Sequence, residues 1–473
     1  MKLRTRSGRL LSAIGLGAVL SAVTAYAAII QVCGAGHLAR PDLSVDQAPE
    51  TVRALNAAPW KAWGRSPSAA SEEITSDVVM EWNQQAATRT LSAAPALAPV
   101  QQTRVMAIIQ VAVHDAVNGI TGQYATYLSP GNAPASASPE AAAIAAAHHA
   151  LKNLPVNQSP SLDAAFATSL ATHGLSEFDP GVEYGRAAAA AVLAARANDN
   201  SAAAQFPYTA PGAGNPGVWV PINATPGAQA LLPGWGDVTP FVLRNGSQFR
   251  PDAPPALDSE RYARDYNEIK IIGAAGSPAR TQEQTQIATF WLASPTAIWN
   301  PVLRQAVEAR GLDLSSAARA AALFYLAASD AGVACWDAKY EHNYWRPQLA
   351  IRGGDSDGND LTAGDAAWQP LHPTPRHPEY PSGHTSNSSA MAYILQSLFG
   401  EGTGAPITVT LSGITRQWDT FDDAAREVIE ARVYSGIHFR TADEVGARMG
   451  RQVAHFVSTH ALRPCKKGGS RCA

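Results

Sequence analysis

Cysteine, aromatic residues and charge are all scarce in this chain of 473 residues, which has 4 Cys, 7% aromatics and 16% charged residues. Four cysteines are too few for a disulfide-built scaffold, and no Cys/His cluster has the spacing of a zinc site. The chain has no P-loop to cradle nucleotide phosphates. Past the first residues, no apolar run approaches the roughly twenty residues that a bilayer-spanning helix needs. There is no internal repeat, which excludes solenoid architectures. Nor is there an excess of positive charge. The formal net charge is −3, which argues against nucleic acid or an anionic lipid surface as a partner.

What is present is a 46% hydrophobic, alanine-rich chain, long enough for a sizeable core. Its first residues have the three parts of a secretory signal. Lys2, Arg4, Arg6 and Arg9 come first, "LLSAIGLGAVLSAV" follows, and Ala25-Tyr26-Ala27 supplies a small-residue cleavage site. This predicts a secreted or periplasmic protein cut near Ala27, with no membrane span after cleavage. Removing residues 1–27 takes away four positive charges and no acids, so the formal charge moves from −3 to −7. In such a compartment Cys465 and Cys472 can close a tail disulfide across "KKGGSR". Cys33 and Cys335 lie far apart in sequence, and their pairing is left open. Cys335 sits in an apolar helical run, which predicts a buried thiol.

The hydrophobic periodicity is helical almost throughout. An extended arm over residues 28–77 precedes an N-terminal helical bundle with a long loop over 78–258. A second helical bundle over 259–462 and a tail over 463–473 follow. "SPEAAAIAAAHHALKNL" and "SPSLDAAFATSLATHGL" both open with Ser-Pro, a good helix start. The stretch from Ser201 to Asp258 is rich in Pro, Gly and Trp without period, as functional or domain-wrapping loops are. From Glu260 to the C-terminus the pattern reads as helix after helix. The fold class is all-α, built as two helical bundles.

Three segments of the second bundle carry chemistry. In "ACWDAKYEHNYWRPQLAI", Lys339 and Arg346 are spaced to share one helix face with Trp336, and Pro347 places Arg346 near a helix end. In "HPEYPSGHTSNSSA", Ser382 and Gly383 open a helix, where a hydroxyl and free N–H groups can meet an anion, and His384 lies in the first turn. In "ARVYSGIHFRTADEVG", Arg432 precedes a break at Gly436 and His438 follows it. Thr441 to Glu444 then read as a capping box opening the next helix. Three cations, an N–H nest and two histidines describe a site for a tetrahedral oxyanion. One histidine attacks or ligates the central atom while the other handles a proton.

Lys339-x6-Arg346-Pro347, Pro381-Ser382-Gly383-His384 and Arg432-x5-His438, in that order, resemble the three-part signature of the vanadium-dependent haloperoxidase and type 2 phosphatidic acid phosphatase (PAP2) superfamily. The resemblance implies vanadate as cofactor, or phosphate in the same site. It makes His438 the vanadium ligand or the phosphohistidine, and His384 the acid/base. Lys339, Arg346, Arg432, Ser382 and the Gly383 amide then hold the oxyanion, with Lys339 polarising bound peroxide. It further associates Trp336 and His377 with halide handling, a histidine at 377 resembling the bromoperoxidase pattern. The sequence departs from the family at Ala431, where Ser is common, and at Asp443. The family's Asp that orients the histidine lies four residues after it, whereas Asp443 lies five after His438.

Three readings remain open at this stage. The first is a haloperoxidase oxidising bromide in preference to chloride with hydrogen peroxide. The second is an acid phosphatase hydrolysing phosphomonoesters, and the third a relative that binds the anion without turnover. Homo-oligomerisation is open as well.

Overall fold

The computed structural model describes residues 77–156, 160–222 and 229–465. The signal-like segment, the arm up to residue 76, Cys33 and Cys472 lie outside the described residues. Among those residues the chain forms thirteen α-helices and one two-stranded hairpin. The first five helices are α1 (Asp77–Leu91), α2 (Pro99–Thr121), α3 (Pro139–Lys152), α4 (Ser161–Thr172) and α5 (Pro180–Arg196). After a long non-helical segment come α6 (Glu260–Ile272), α7 (Gln282–Phe290), α8 (Pro295–Arg310), α9 (Leu314–His342) and α10 (Pro347–Arg352). The last elements are α11 (Gly383–Phe399), β1 (Ile407–Leu411), β2 (Ile414–Trp418), α12 (Phe421–Tyr434) and α13 (Arg440–His460).

Helix α9 is the axis of this arrangement. It has 29 residues, buried almost continuously from Leu314 to Lys339. Its alanines keep helix propensity high and the cylinder thin, so that neighbours approach on several sides. It packs against α1, α2, α11 and α13, while α2, α3 and α5 pack on one another. No helix among the described residues is long and apolar enough to cross a membrane.

The helix starts follow the sequence where a side chain can cap. Ser138 accepts from the Ala141 amide ahead of Pro139, Ser259 from Tyr262, and Asp313 from Ser316. Thr281 and Gln284 close a capping box. Ser159 lies outside the described residues, and α4 is entered from Pro160 with no side-chain cap.

Three expectations are corrected. The helical run to the C-terminus is interrupted by the hairpin, whose "ITVTLSGITRQW" alternates β-branched and polar residues around Ser412-Gly413. Both turn residues have positive φ (49° and 78°), as a tight two-residue hairpin turn requires. Second, Lys339 and Arg346 do not share a helix. Asn343 ends α9 in the left-handed region at φ 47°, and Pro347 opens α10, which forces Arg346 into the extended region. Third, α13 begins at Arg440, so Thr441 lies inside the first turn and is no cap. Carboxylates from elsewhere take the amides there. Glu379 Oε1 accepts from Phe439 N at 2.9 Å, and Asp265 Oδ2 from Thr441 N at 3.2 Å.

The described part of the Pro/Gly/Trp-rich segment runs along α9 as turns without a regular helix beyond short 3-10 pieces. Asp330 on α9 accepts the Phe241, Val242 and Leu243 amides at 2.7, 2.8 and 3.0 Å. Further along, the Leu231 carbonyl accepts from Trp336 Nε1 at 3.2 Å and from Tyr340 OH at 2.8 Å. Trp345 N donates to Gly217 O at 2.9 Å. The segment is a strap on the helix that carries Trp336 and Lys339. Cys335 is a buried free thiol, as its apolar setting predicts. Cys465 is disulfide-bonded.

Candidate active site

The three motif segments meet. Trp336 and Lys339 sit in the last turns of α9, with the ammonium 5.9 Å from the Trp336 ring centre. Arg346 and Ser382 stand at the N-cap positions of α10 and α11 without a side-chain cap, Arg432 lies in the last turn of α12, and His438 is on the α12–α13 connector. A smaller apolar cluster includes Trp345, Tyr380 and Phe439, the immediate neighbours of Arg346, Glu379 and His438. Burying one residue of each pair fixes where the next must point.

Arg346 is the hub. Its NH1 lies 3.0 Å from His438 Nε2 and donates to Ile437 O at 2.7 Å, while NH2 lies 3.0 Å from His377 Nδ1. Lys339 Nζ donates to the Pro378 and Glu379 carbonyls, both at 2.9 Å. Ser382 N donates to Ala442 O at 3.0 Å, tying the start of α11 to that of α13. The His377 and Trp336 rings are 4.9 Å apart. A Cβ added at Gly383 would meet Trp336 Cζ3 at 3.2 Å, so glycine lets the nest close on the indole. Arg432 NH1 donates to Trp291 O at 3.0 Å. His384 is held by the Ala293 backbone and feels Arg432, Lys339 and Arg346. All nine residues singled out from the sequence therefore share one locality.

One residue of this locality was missed. Glu379 is fully buried, and its Oε1 lies 3.0 Å from His438 Nδ1. Its signal was an acid lodged between His377 and Pro381, inside a motif read only for its Pro-Ser-Gly-His end. Asp443, the expected orienter of His438, makes no hydrogen bond to it. It is fully buried beside Ser382 and Arg432, and α13 turns its carboxylate away from the imidazole it follows in sequence.

The electrostatics are those of an anion site. Burial pushes Lys339 down to about 7, and nearby Arg346 adds to the shift against Cys335, Glu379 and Asp443. Burial likewise brings Arg346 and Arg432 down to about 10. It also holds His377, His384 and His438 well below the usual histidine range, with the cations reinforcing it. Glu379 is raised to about 8 by burial, and Asp443 is raised by burial too. Lys339, Arg346 and Arg432 donate to carbonyls and none is ion-paired with a carboxylate. Burying unpaired cations is costly, and a bound anion offsets that cost.

Vanadate, or a phosphate in its place, fits these residues on a specific observation. His384 Nε2 and Arg432 Nε are buried and have no hydrogen-bond partner, and Ser382 Oγ has only the buried Asp443 carboxyl beside it. Buried polar atoms are rarely left unsatisfied, and these three belong to side chains assigned to the oxyanion or its proton. The Gly383 and His384 amides start α11, where the helix ladder supplies no acceptor.

Known proteins resemble this chain over the region that holds the site. Residues 319–467 match the family described as the VCPO second helical-bundle domain. A vanadium chloroperoxidase of Curvularia inaequalis is 25% identical over 226 residues, 40% of this chain. The matched stretch spans 37% of that relative's length. A bacterial vanadium-dependent iodoperoxidase superimposes with a TM-score of 0.71 at 25% identity, covering 85% of this chain and 100% of that one. A holo-type bacterial vanadium-dependent chloroperoxidase gives 0.62 at 20% identity, over 83% and 99% of the two chains, a likeness of fold. In motif order, fold and these likenesses, the chain is similar to the vanadium-dependent haloperoxidases.

Proposed function

We propose that this protein is a vanadium-dependent haloperoxidase that uses hydrogen peroxide to oxidise halide, bromide in preference to chloride. The observation that carries the reading is the set of buried donors without partners around His438. Arg432 Nε and His384 Nε2 lack a partner, Lys339 and Arg346 donate to carbonyls without a carboxylate pair, and His438 directs Nε2 to the same locality. In this reading His438 ligates vanadium through Nε2, while Arg346, Arg432, Lys339, Ser382 and the Gly383 amide hold the oxygens. Bound vanadate would supply a Lewis-acid centre that activates peroxide toward halide. The neutral His384 takes or returns a proton at Nε2. Lys339, held at about 7 by burial, gains its charge most readily when an anion is beside it. His377, packed on Trp336 and within reach of Arg346, lines the halide approach and supports the bromide preference.

Bromination of an activated dione with peroxide and added orthovanadate tests this directly. Activity that depends on vanadate and is lost in His438→Ala is the expected outcome. Hydrolysis of an aryl phosphate without vanadate, lost in the same variant, would instead assign the phosphatase chemistry. Its supporting observation is the same neutral imidazole, which can attack phosphorus as well as ligate vanadium. Either activity surviving His438→Ala would remove His438 from the site.

A further inference from the structure

We infer that Glu379, and not an aspartate on α13, is the positioning residue of His438, holding the ring in the Nδ1–H tautomer with Nε2 facing the anion site. The inference rests on His438 being the ligand-bearing imidazole, and its first test needs no anion at all.

Glu379 selects this tautomer. Arg346 NH1 lies 3.0 Å from His438 Nε2 and 3.5 Å from Nδ1, over the face of the ring, and leaves the choice of nitrogen to other partners. Nδ1 lies 3.0 Å from Glu379 Oε1, a carboxyl oxygen that accepts the ring proton and leaves the Nε2 lone pair free. Oε1 can accept whether or not the other carboxyl oxygen carries a proton. The same oxygen accepts the Phe439 amide at 2.9 Å, so Glu379 fixes both the imidazole and the backbone that follows it.

Glu379 is itself held in place. Its amide donates to Tyr344 O at 2.9 Å and its carbonyl accepts from Lys339 Nζ at 2.9 Å. The group linking His438 to the lysine of the anion site is thus one residue of the "HPEYPSGH" loop. Glu379 Oε2, by contrast, is buried without a partner and borders a small cavity lined by Tyr262, Asp265, Tyr344 and Thr441. A fully buried carboxyl with one oxygen unsatisfied is a poor choice for stability, and an apolar side chain of similar size would suit the fold better. The residue makes sense through the contact of its other oxygen.

Positioning and charge make opposite predictions, which separates them. As a charge alone, Glu379 repels an anion, and removing it would tighten anion binding. As the residue that aims Nε2, it is needed only by an anion that bonds to the imidazole. Glu379→Leu should therefore weaken orthovanadate binding by roughly 10- to 100-fold, the range seen when a partner of a ligating histidine is removed. Inorganic phosphate, held without a bond to Nε2, should bind at least as tightly as before. Glu379→Gln keeps an acceptor oxygen and should restore vanadate binding to within about threefold of the parent, by the same argument.

The decisive reading is taken on the anion-free protein labelled with 15N-histidine. His438 should show a single tautomer with the proton on Nδ1 in the parent and in Glu379→Gln, and lose that single state in Glu379→Leu. A proton on Nε2 in the parent overturns the inference with no variant required, as does Glu379→Leu that binds vanadate like the parent. If the parent binds neither anion, the functional reading fails while the tautomer measurement still decides the role of Glu379.

Discussion

Lys339 illustrates how a single side chain ties stability to binding. Its folded value is about 7 against an ordinary 10.5, so the folded state binds fewer protons than the unfolded one between those limits. Stability of the anion-free protein should therefore rise with pH over that window. Relative to Lys339→Met, the gain should be about 1.4 kcal/mol per pH unit at most, read by denaturant unfolding. Anion binding has the opposite sign, because the bound state needs the ammonium. Sulfate, whose charge is constant in this range, should bind the parent progressively more weakly from pH 7 to 9, while Lys339→Met binds weakly at every pH. A flat parent profile would show that Lys339 does not face the anion.

At the same scale, the sequence revealed residue types better than partnerships. Lys339, Arg346, Ser382, Gly383, His384, Arg432 and His438 were legible because cation, small-residue and imidazole spacings are local patterns. Which carboxylate holds His438 was not legible. Asp443 follows it closely along the chain, but the first turn of α13 rotates that carboxylate toward Ser382 and Arg432. Glu379 reaches the ring from another segment, and no local rule joins positions 379 and 438.

At the scale of elements, the site depends on two helices that nearly touch. A Cβ at Gly450 of α13 would meet Ser386 O of α11 at 2.1 Å, and one at Gly446 would meet Thr385 Oγ1 at 2.4 Å and Ser382 O at 2.6 Å. All of these obstacles lie in the first turn of α11 or beside it, so the helix that bears the anion nest is seated on a glycine face. Gly450→Ala should cost about 1–3 kcal/mol or more by overpacking. Because relief requires α11 to move, vanadate affinity should fall along with Tm. Loss of stability with unchanged affinity would mean that the nest is positioned by other contacts. Helix identity was readable along most of the chain because amphipathic periodicity and capping residues act locally. The β1–β2 hairpin was not singled out, although its alternation and Ser-Gly turn were present in the sequence. Nor could spacing alone show that Asn343 would end α9 before Arg346.

At the scale of the molecule, buried acids hold connecting segments to the helical core, Asp330 the long segment and Asp115 the α2–α3 connector, and they set a pH dependence. Asp330 is raised to about 6 and Asp115 to about 7, both chiefly by burial against their backbone donors. A raised carboxyl contributes stability that is present below its unfolded value of 3.8 and is lost as pH climbs through its folded value. His114, lowered to about 4 by burial, acts the other way and adds stability as pH rises from about 4 to 6.5. The Asp330 contribution is isolated by comparison with Asp330→Asn. The stability difference between parent and variant should shrink between pH 4 and 6, and hydrogen exchange at residues 241–243 should be faster in the variant throughout. A difference constant with pH would mean that Asp330 does not titrate differently on unfolding. The strap was visible in the sequence as a loss of periodicity, but its route along α9 depends on contacts with Asp330, Trp336 and Tyr340 that composition does not encode.

The central claim is that segments scattered along the second half of the chain close around one tetrahedral oxyanion bonded to a single histidine. A crystal structure of the protein grown with orthovanadate tests it most directly. The account predicts vanadium bonded to His438 Nε2, with its oxygens on Arg346, Arg432, Lys339 and Ser382. Vanadate bound at another residue, or density at this locality with no bond to His438, would contradict it.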